Sequence, residues 1–464
     1  MPSKKIIKNA IICIMAFFMF PVTALAVTFN PNHIISDIDM TNANATSLAR
    51  IQNFLSGQGA LGTYKTTDAN GNEKTAAEIL YEVGRQWTIN PQYLMVRMQI
   101  EQSLITDSTP SQAQLDWATG YAVCDSCSKD DPAVAKYKGF YNQVLWSARK
   151  IRESYLADLE LYGRTFTGWG PGITKTTGDG YQVTPANNAT AALYTYTPYV
   201  YNANFNIWKF WNQWFTKHYP DGSLVQVEGE NGVYLIKDGK RRPFLSRSAL
   251  VSRFDPSKII LVSLSDINAY PDGAPIKFAN YSLILSNETG RVYLIDGDQR
   301  RYIESPDVFR EIGFNPEEII KASESELSAY SFGPNINMRS IYPTGVLLQS
   351  KETGGISYVE NGVRQSIWSK EILKNRFATR KPVVVEQSEI DQYPQGDPIT
   401  FKDGELITSP GMHGVYFVNN GIRHGIASKE TFDALGFQWK NIIWTTDKAV
   451  LIHLEGDPID INQQ

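Results

Sequence analysis

The chain is short of the groups that most often advertise chemistry. It has three cysteines and five histidines among 464 residues. Cys13 sits inside the first apolar run, which leaves Cys124 and Cys127, in YAVCDSCSKDD, for the rest of the chain. The histidines (His33, His218, His413, His424, His453) are scattered, and none forms a metal-ligand pair. A zinc site would need two ligands beyond the cysteines, so no metal and no cofactor is expected. Basic charge is also lacking. Lys+Arg total 44 against 48 Asp+Glu, a net charge of −4, which removes the electrostatic footprint of a nucleic-acid binder. Beyond the first residues no run is apolar enough to span a bilayer. There is no G-x-S-x-G elbow, no H-E-x-x-H, no Walker loop and no dinucleotide fingerprint.

The amino terminus carries what the remainder lacks. Lys4, Lys5 and Lys8 precede an apolar run from about Ala10 to Phe20, and Ala24-Leu25-Ala26 offers small-x-small residues for cleavage. This pattern predicts an export signal over residues 1–26 and a secreted or cell-surface, wall-associated product. In an oxidising compartment Cys124 and Cys127 are expected to form a local disulfide. A thioredoxin-like redox site would need a βαβ setting, which the surrounding sequence lacks. Aromatic residues make up 12% of the chain; in an exported protein that permits sugar stacking without requiring it.

Two grammars follow. Residues 27–218 read mainly as amphipathic helices: TSLARIQNFLSGQG, TAAEILYEVGRQW, NPQYLMVRMQIEQSLI, FYNQVLWSARKIRESYLADLELYG and NIWKFWNQWF. The Gly-rich TGWGPGITKTTGDGYQV between the last two reads as a loop or small hairpin. After TKHYPDG a repeat of about 60 residues begins. NGVYLIKDGKRRPFLSRSAL, GRVYLIDGDQRRYIESPDVF, GGISYVENGVRQSIWSKEIL and HGVYFVNNGIRHGIASKETF align. Arg241, Arg300, Arg364 and Arg423 share one slot, and Ser246, Ser305, Ser369 and Ser428 another. Each unit reads as a strand, a hairpin and a helix capped by the shared Ser. The shared Arg is expected to be solvated or paired with an acid of its own unit. The expected units are 219–279, 280–340, 341–402 and 403–464. The expected fold class is a mostly α amino-terminal domain followed by four α+β repeats.

Within NPQYLMVRMQIEQSLI, Asn90 suits a helix cap and Pro91 the first helical position. Leu94, Met98 and Ile105 recur on one stripe, and Glu101 lies in that stripe. A carboxylate there is costly unless paired, protonated or used. Pairing with Arg97 one turn back satisfies it structurally; an apolar wall that keeps it protonated makes it a general acid. The residues alone leave both readings standing.

INPQYLMVRMQIEQSLI resembles the segment of lysozyme-like lytic transglycosylases and bacterial glucosaminidases that carries the catalytic Glu. The likeness continues in LDWATGY (Leu115 to Tyr121), KYKGFYNQVLWSARKIRES and NNATAALYTYTPYVYN. The resemblance implies a lysozyme-like domain ahead of wall-associated repeats. It implies Glu101 as general acid, with Ser103, Asp116, Tyr121, Tyr194, Tyr196 and Tyr199 in or beside the cleft. One extra residue separates Glu101 from Ser103, and the usual GLMQ-type motif is replaced by Ala118-Thr-Gly-Tyr121. Asp116 is the nearest second acid, and a capping role at a helix start suits it equally. The tyrosines can orient sugar, and a packed tyrosine cluster has the same sequence signature. The function expected is cleavage of peptidoglycan or another N-acetylated wall glycan, as a glucosaminidase, muramidase or lytic transglycosylase. The alternative is a non-catalytic, adhesin-like wall-binding protein. No membrane contact beyond the export signal is implied, and oligomeric state is left open.

Overall fold

The computed structural model describes residues 29–123 and 128–461. The expected export signal and the Cys124–Cys127 pair lie outside the described residues.

The amino-terminal helices form where caps and apolar spacing coincide. Thr75 accepts from the Glu78 amide and Glu78 returns the bond, a capping box that starts the Ala76–Trp87 helix. Asn90 accepts from the Gln92 amide at 2.9 Å, and Pro91 opens the Pro91–Gln102 helix. That helix is the hub of the first core. Leu94, Met95, Val96 and Met98 are all buried, so apolar groups surround most of its circumference rather than forming one stripe. Ile105 lies beyond its end. Ser103 terminates it in the left-handed region, at φ 53°. Gln99, also buried, then fastens the exit: its Oε1 accepts from the amides of Ile105 and Thr106 at 3.0 and 3.2 Å. The Phe205–Phe215 helix closes the same core with Trp211 and Phe215.

The expectation of a mostly α amino-terminal domain is overturned. The chain is mixed α/β, with 36% helix and 21% strand, and its carboxy-terminal half holds several mixed sheets. Even the amino-terminal part is punctuated by strands. Lys65–Thr67 pairs antiparallel with Glu73–Thr75, and Lys175–Thr176 with Gln182–Val183. These strands are two or three residues long and, apart from the buried Val183, polar. They are set by turns, with Gly71 at φ +81° and Gly180 at φ +88°, and not by any apolar alternation. The long fourth helix is also interrupted: Phe140–Lys150 passes through a wider π turn, Ile151–Leu156, before Ala157–Tyr162 resumes.

Each of the four repeats carries one sheet. In the first, Leu224–Val227, Val233–Lys237 and Lys240–Pro243 run antiparallel, and Ile260–Val262 adds parallel to the first strand. The other three repeat this scheme. Ser246, Ser305, Ser369 and Ser428 each cap the helix after the hairpin. The four shared arginines each meet an acid of their own repeat: Arg241 to Asp272, Arg300 to Glu324, Arg364 to Asp391 and Arg423 to Glu455.

The repeats close into a ring. Repeats one and four share a core through Val225, Ile236, Leu406 and Phe417. Repeats three and four share another through Leu347, Ile372, Ile407 and Val418. Polar contacts complete the circuit: Arg242 and Lys237 to Asp298 between one and two, and Arg301 to Asn361 between two and three. The amino-terminal part seats on repeats one and four, where Ile38 N–H donates to Glu228 at 2.8 Å and Ser47 Oγ to Glu430 at 2.5 Å.

Candidate functional site

Glu101 lies in the last turn of the Pro91–Gln102 helix. Its side chain keeps 24% of its surface open, so it is neither sealed in the core nor free on the surface. Three elements converge on it. From the Asn188–Tyr196 helix, the Tyr196 hydroxyl donates to Glu101 Oε1 at 2.8 Å. From its own helix, Arg97 NH2 stands 3.7 Å from the same oxygen, too long for a hydrogen bond. From the loop after the Gln112–Asp116 helix, the Gly120 backbone lies against the other oxygen. A Cβ built on Gly120 would stand 2.6 Å from Glu101 Oε2 and 3.5 Å from the Tyr196 hydroxyl. Gly120 also sits at φ +66°, where a side chain is disfavoured.

Arg97 is buried, and its charge is spread over several partners. Its guanidinium lies 3.2 Å from the centre of the Tyr196 ring and donates to the Thr119 carbonyl at 3.3 and 3.4 Å. Glu101 is therefore near a cation that is engaged elsewhere, and it is not locked into a tight pair. Burial pushes the pKa of the Tyr196 hydroxyl up, against the pull of Arg97, and Glu101 adds to the rise. The phenol keeps its proton and acts as a donor.

The loop carrying Gly120 is held from below by Gln143, which is fully buried. Gln143 Oε1 accepts from the Tyr121 amide at 2.9 Å, and its Nε2 donates to the carbonyls of Tyr121 and Tyr137 at 3.1 and 2.9 Å. One side chain thus fixes the backbone on both sides of an aromatic group. Tyr121 packs edge-on to Tyr137 at 5.0 Å, and Tyr137 edge-on to Trp146 at 5.3 Å. All three rings are half-exposed. They form an aromatic shelf that begins one residue from Gly120.

The other residues named from the sequence are placed differently. Ser103 is the exposed carboxy-terminal cap of the helix. Asp116 ends the Gln112–Asp116 helix, whose cap is Ser111, so the capping role expected for Asp116 is replaced by an ion pair with Lys138 at 3.4 Å. Tyr194 is buried, stacks on Trp169 at 4.9 Å and donates to the Pro31 carbonyl at 3.0 Å; it is packing. Tyr199 is exposed and lies over Gly178 in the second hairpin. Of the expected set, Glu101, Tyr196 and Tyr121 are brought together around Gly120. Arg97, Gly120 and Gln143 complete the site. Arg97 was legible in the sequence as the cation one turn before Glu101, Gly120 only as part of the Ala118–Tyr121 segment, and Gln143 not at all.

Near Tyr194 a cavity of about 330 Å³ opens between Trp169, Lys175 and Pro198. Its roof is the Lys175–Val183 hairpin, anchored where Asp179 accepts from the amides of Val200 and Tyr201 at 2.9 and 3.0 Å. Among the described residues, no group of three or more His, Cys, Asp or Glu could hold a metal ion, and no helix is long and apolar enough to cross a membrane.

No family model matches the chain, and no curated protein matches it. Solved structures give weak likenesses. One is the periplasmic assembly from the ESX-5 inner membrane complex, at 14% identity over 53% of this chain and 94% of that one, with a TM-score of 0.14. The intact ESX-5 inner membrane complex gives 14% identity over 54% and 82%, again with a TM-score of 0.14. The EccB3 dimer from the ESX-3 core complex gives 11% over 52% and 98%, at 0.15. Scores this low carry no argument about fold or activity.

Proposed function

We propose that this chain is an exported enzyme that cleaves the glycan strands of peptidoglycan, with Glu101 as the proton donor. One observation carries the reading: a half-open carboxylate on a buried helix, held by the Tyr196 hydroxyl at 2.8 Å and backed by glycine. A protonated Glu101 would give its proton to the glycosidic oxygen. Tyr196 would then hold the carboxylate left behind by donating to it, and Arg97 would offset its charge. The Tyr121–Tyr137–Trp146 shelf offers faces on which pyranose rings stack. Asp116 is committed to Lys138 and is not assigned as the second carboxylate of a two-acid mechanism. The substrate's own N-acetyl or 6-hydroxyl group is assigned that role, a known exception to the two-carboxylate rule.

Incubating the purified protein with cell-wall sacculi tests this. New reducing ends identify hydrolysis, and anhydro ends identify transglycosylation. Binding to sacculi with no new ends would refute the enzyme and favour a non-catalytic wall-binding protein. That second reading draws on one observation, the cation of Arg97 and the donor of Tyr196 both facing the carboxylate, which is also how a permanently ionised, structural Glu is held.

A further inference from the structure

The ring of repeats encloses a cavity of about 780 Å³ that takes residues from all four units. That is within the range of small-molecule sites. Its walls are polar and its charges are unevenly satisfied. The lining acids are all engaged. Asp298 takes Lys237 and Arg242, and Asp296 takes Arg301. Glu360 accepts from the hydroxyls of Tyr281 and Tyr358, and Asp403 accepts from the Asn420 amide. Burial pushes the carboxyls of both Glu360 and Asp403 above their ordinary range.

Four lining cations are not so matched, and one of them, Arg380, donates to the carbonyls of Thr344 and Gly345 at 2.7 and 2.8 Å. Arg253, Arg376 and Lys402 form no ion pair with an acid among the described residues. Arg253 has one long bond, 3.4 Å to the Phe278 carbonyl, and its Nε is buried without a partner. Lys402 is half-buried, and after burial the like charge of Arg376 is the largest influence lowering its pKa. Asn375 sets that proximity, because its Oδ1 accepts from the Lys402 amide at 3.0 Å and Arg376 is the next residue. Elsewhere in the ring the shared arginines all found acids. Here the fold gathers cations from repeats one and three at one cavity, where the acids that attract them, Asp403 toward Arg376 and Glu405 and Asp255 toward Lys402, form no ion pair with them.

We propose that this cavity binds a small polyanion, bearing phosphate or carboxylate groups, through Arg253, Arg376 and Lys402. Such a ligand would replace like-charge repulsion with charge-assisted hydrogen bonds. The site is separate from Glu101, and its test does not depend on glycan cleavage.

The test is calorimetric titration of the full-length protein with pyrophosphate and, separately, citrate. At least one is expected to bind, with affinity falling as salt rises. Pyrophosphate alone identifies a phosphate ligand, citrate alone a carboxylate ligand, and both together a site that reads charge. Arg376→Gln and Lys402→Gln should each weaken binding about tenfold or more. Arg376 is exposed, so its variant keeps the test open if Lys402→Gln fails to fold. No binding of either anion at millimolar concentration overturns the proposal. So does unchanged affinity in a folded variant.

Discussion

At the scale of single residues the account rests on contacts to one carboxyl. Under the proposed mechanism the Tyr196 hydroxyl would donate to the carboxylate left on Glu101 after proton transfer, and a hydrogen bond to a charged group is worth about 1.5–3 kcal/mol. Tyr196→Phe is therefore expected to slow sacculus cleavage by about tenfold or more while the thermal midpoint moves little, since the ring still packs on Arg97. Gly120→Ala places a methyl 2.6 Å from Glu101 Oε2 and forces an L residue to φ +66°. The backbone strain is worth about 1–2 kcal/mol, a modest stability loss. Displacing the carboxylate should cost most of the activity. Parallel measurement of turnover and urea midpoint checks both. Asn90 and Pro91 were legible in sequence because a helix cap and its first turn are local. Tyr196 became specific only in three dimensions: it lies 95 residues from Glu101 along the chain, and nothing local distinguishes it from Tyr194, which turned out to be packing.

Among elements, the loop behind the site depends on one helix-borne amide. Gln143→Leu would leave the carbonyls of Tyr121 and Tyr137 without their donor. Each unsatisfied buried group costs about 1–3 kcal/mol. The variant is expected to lose several kcal/mol by denaturant titration and to release the Tyr121 shelf, seen as changed tyrosine fluorescence. The repeats offer a gentler test: Ser369→Ala removes a cap that accepts from the Ile372 amide at 3.1 Å and should cost about 1 kcal/mol. These caps could be read from the sequence because cap and partner lie three residues apart. The Lys65–Thr75 hairpin could not. Its strands are three residues of Lys, Thr and Glu, with no apolar alternation, and a turn at Gly71 is their only mark. Reading apolar periods alone therefore made the amino-terminal part too uniformly helical.

For the whole molecule, the junction between the amino-terminal part and the ring contains a buried acid pair. Asp39 and Asp266 face one another, with Lys217 beside both and the Tyr219 hydroxyl on Asp266 at 3.1 Å. Burial first, and Asp266 second, push Asp39 up to about 7. The folded state thus holds a proton that the unfolded chain releases near pH 4. Between about pH 4 and pH 7 folding takes up protons, so this pair makes the protein less stable as pH rises through that window. Thermal midpoints are expected to fall from pH 5 to pH 8 through this pair, and Asp39→Asn should flatten the slope. A slope unchanged in the variant would place the pH dependence elsewhere. The sequence showed the four repeats but not their closure into a ring, since the contacts that join repeat one to repeat four have no local signature.

The central claim is tested most directly by Glu101→Gln. The substitution keeps the size of the side chain and an acceptor for Tyr196 while removing the transferable proton. Sacculi digested by the wild type and by this variant, each checked for the same thermal midpoint, should differ by about a hundredfold or more in soluble glycan fragments. Equal release by a folded Glu101→Gln protein would contradict the assignment of this carboxyl as the proton donor.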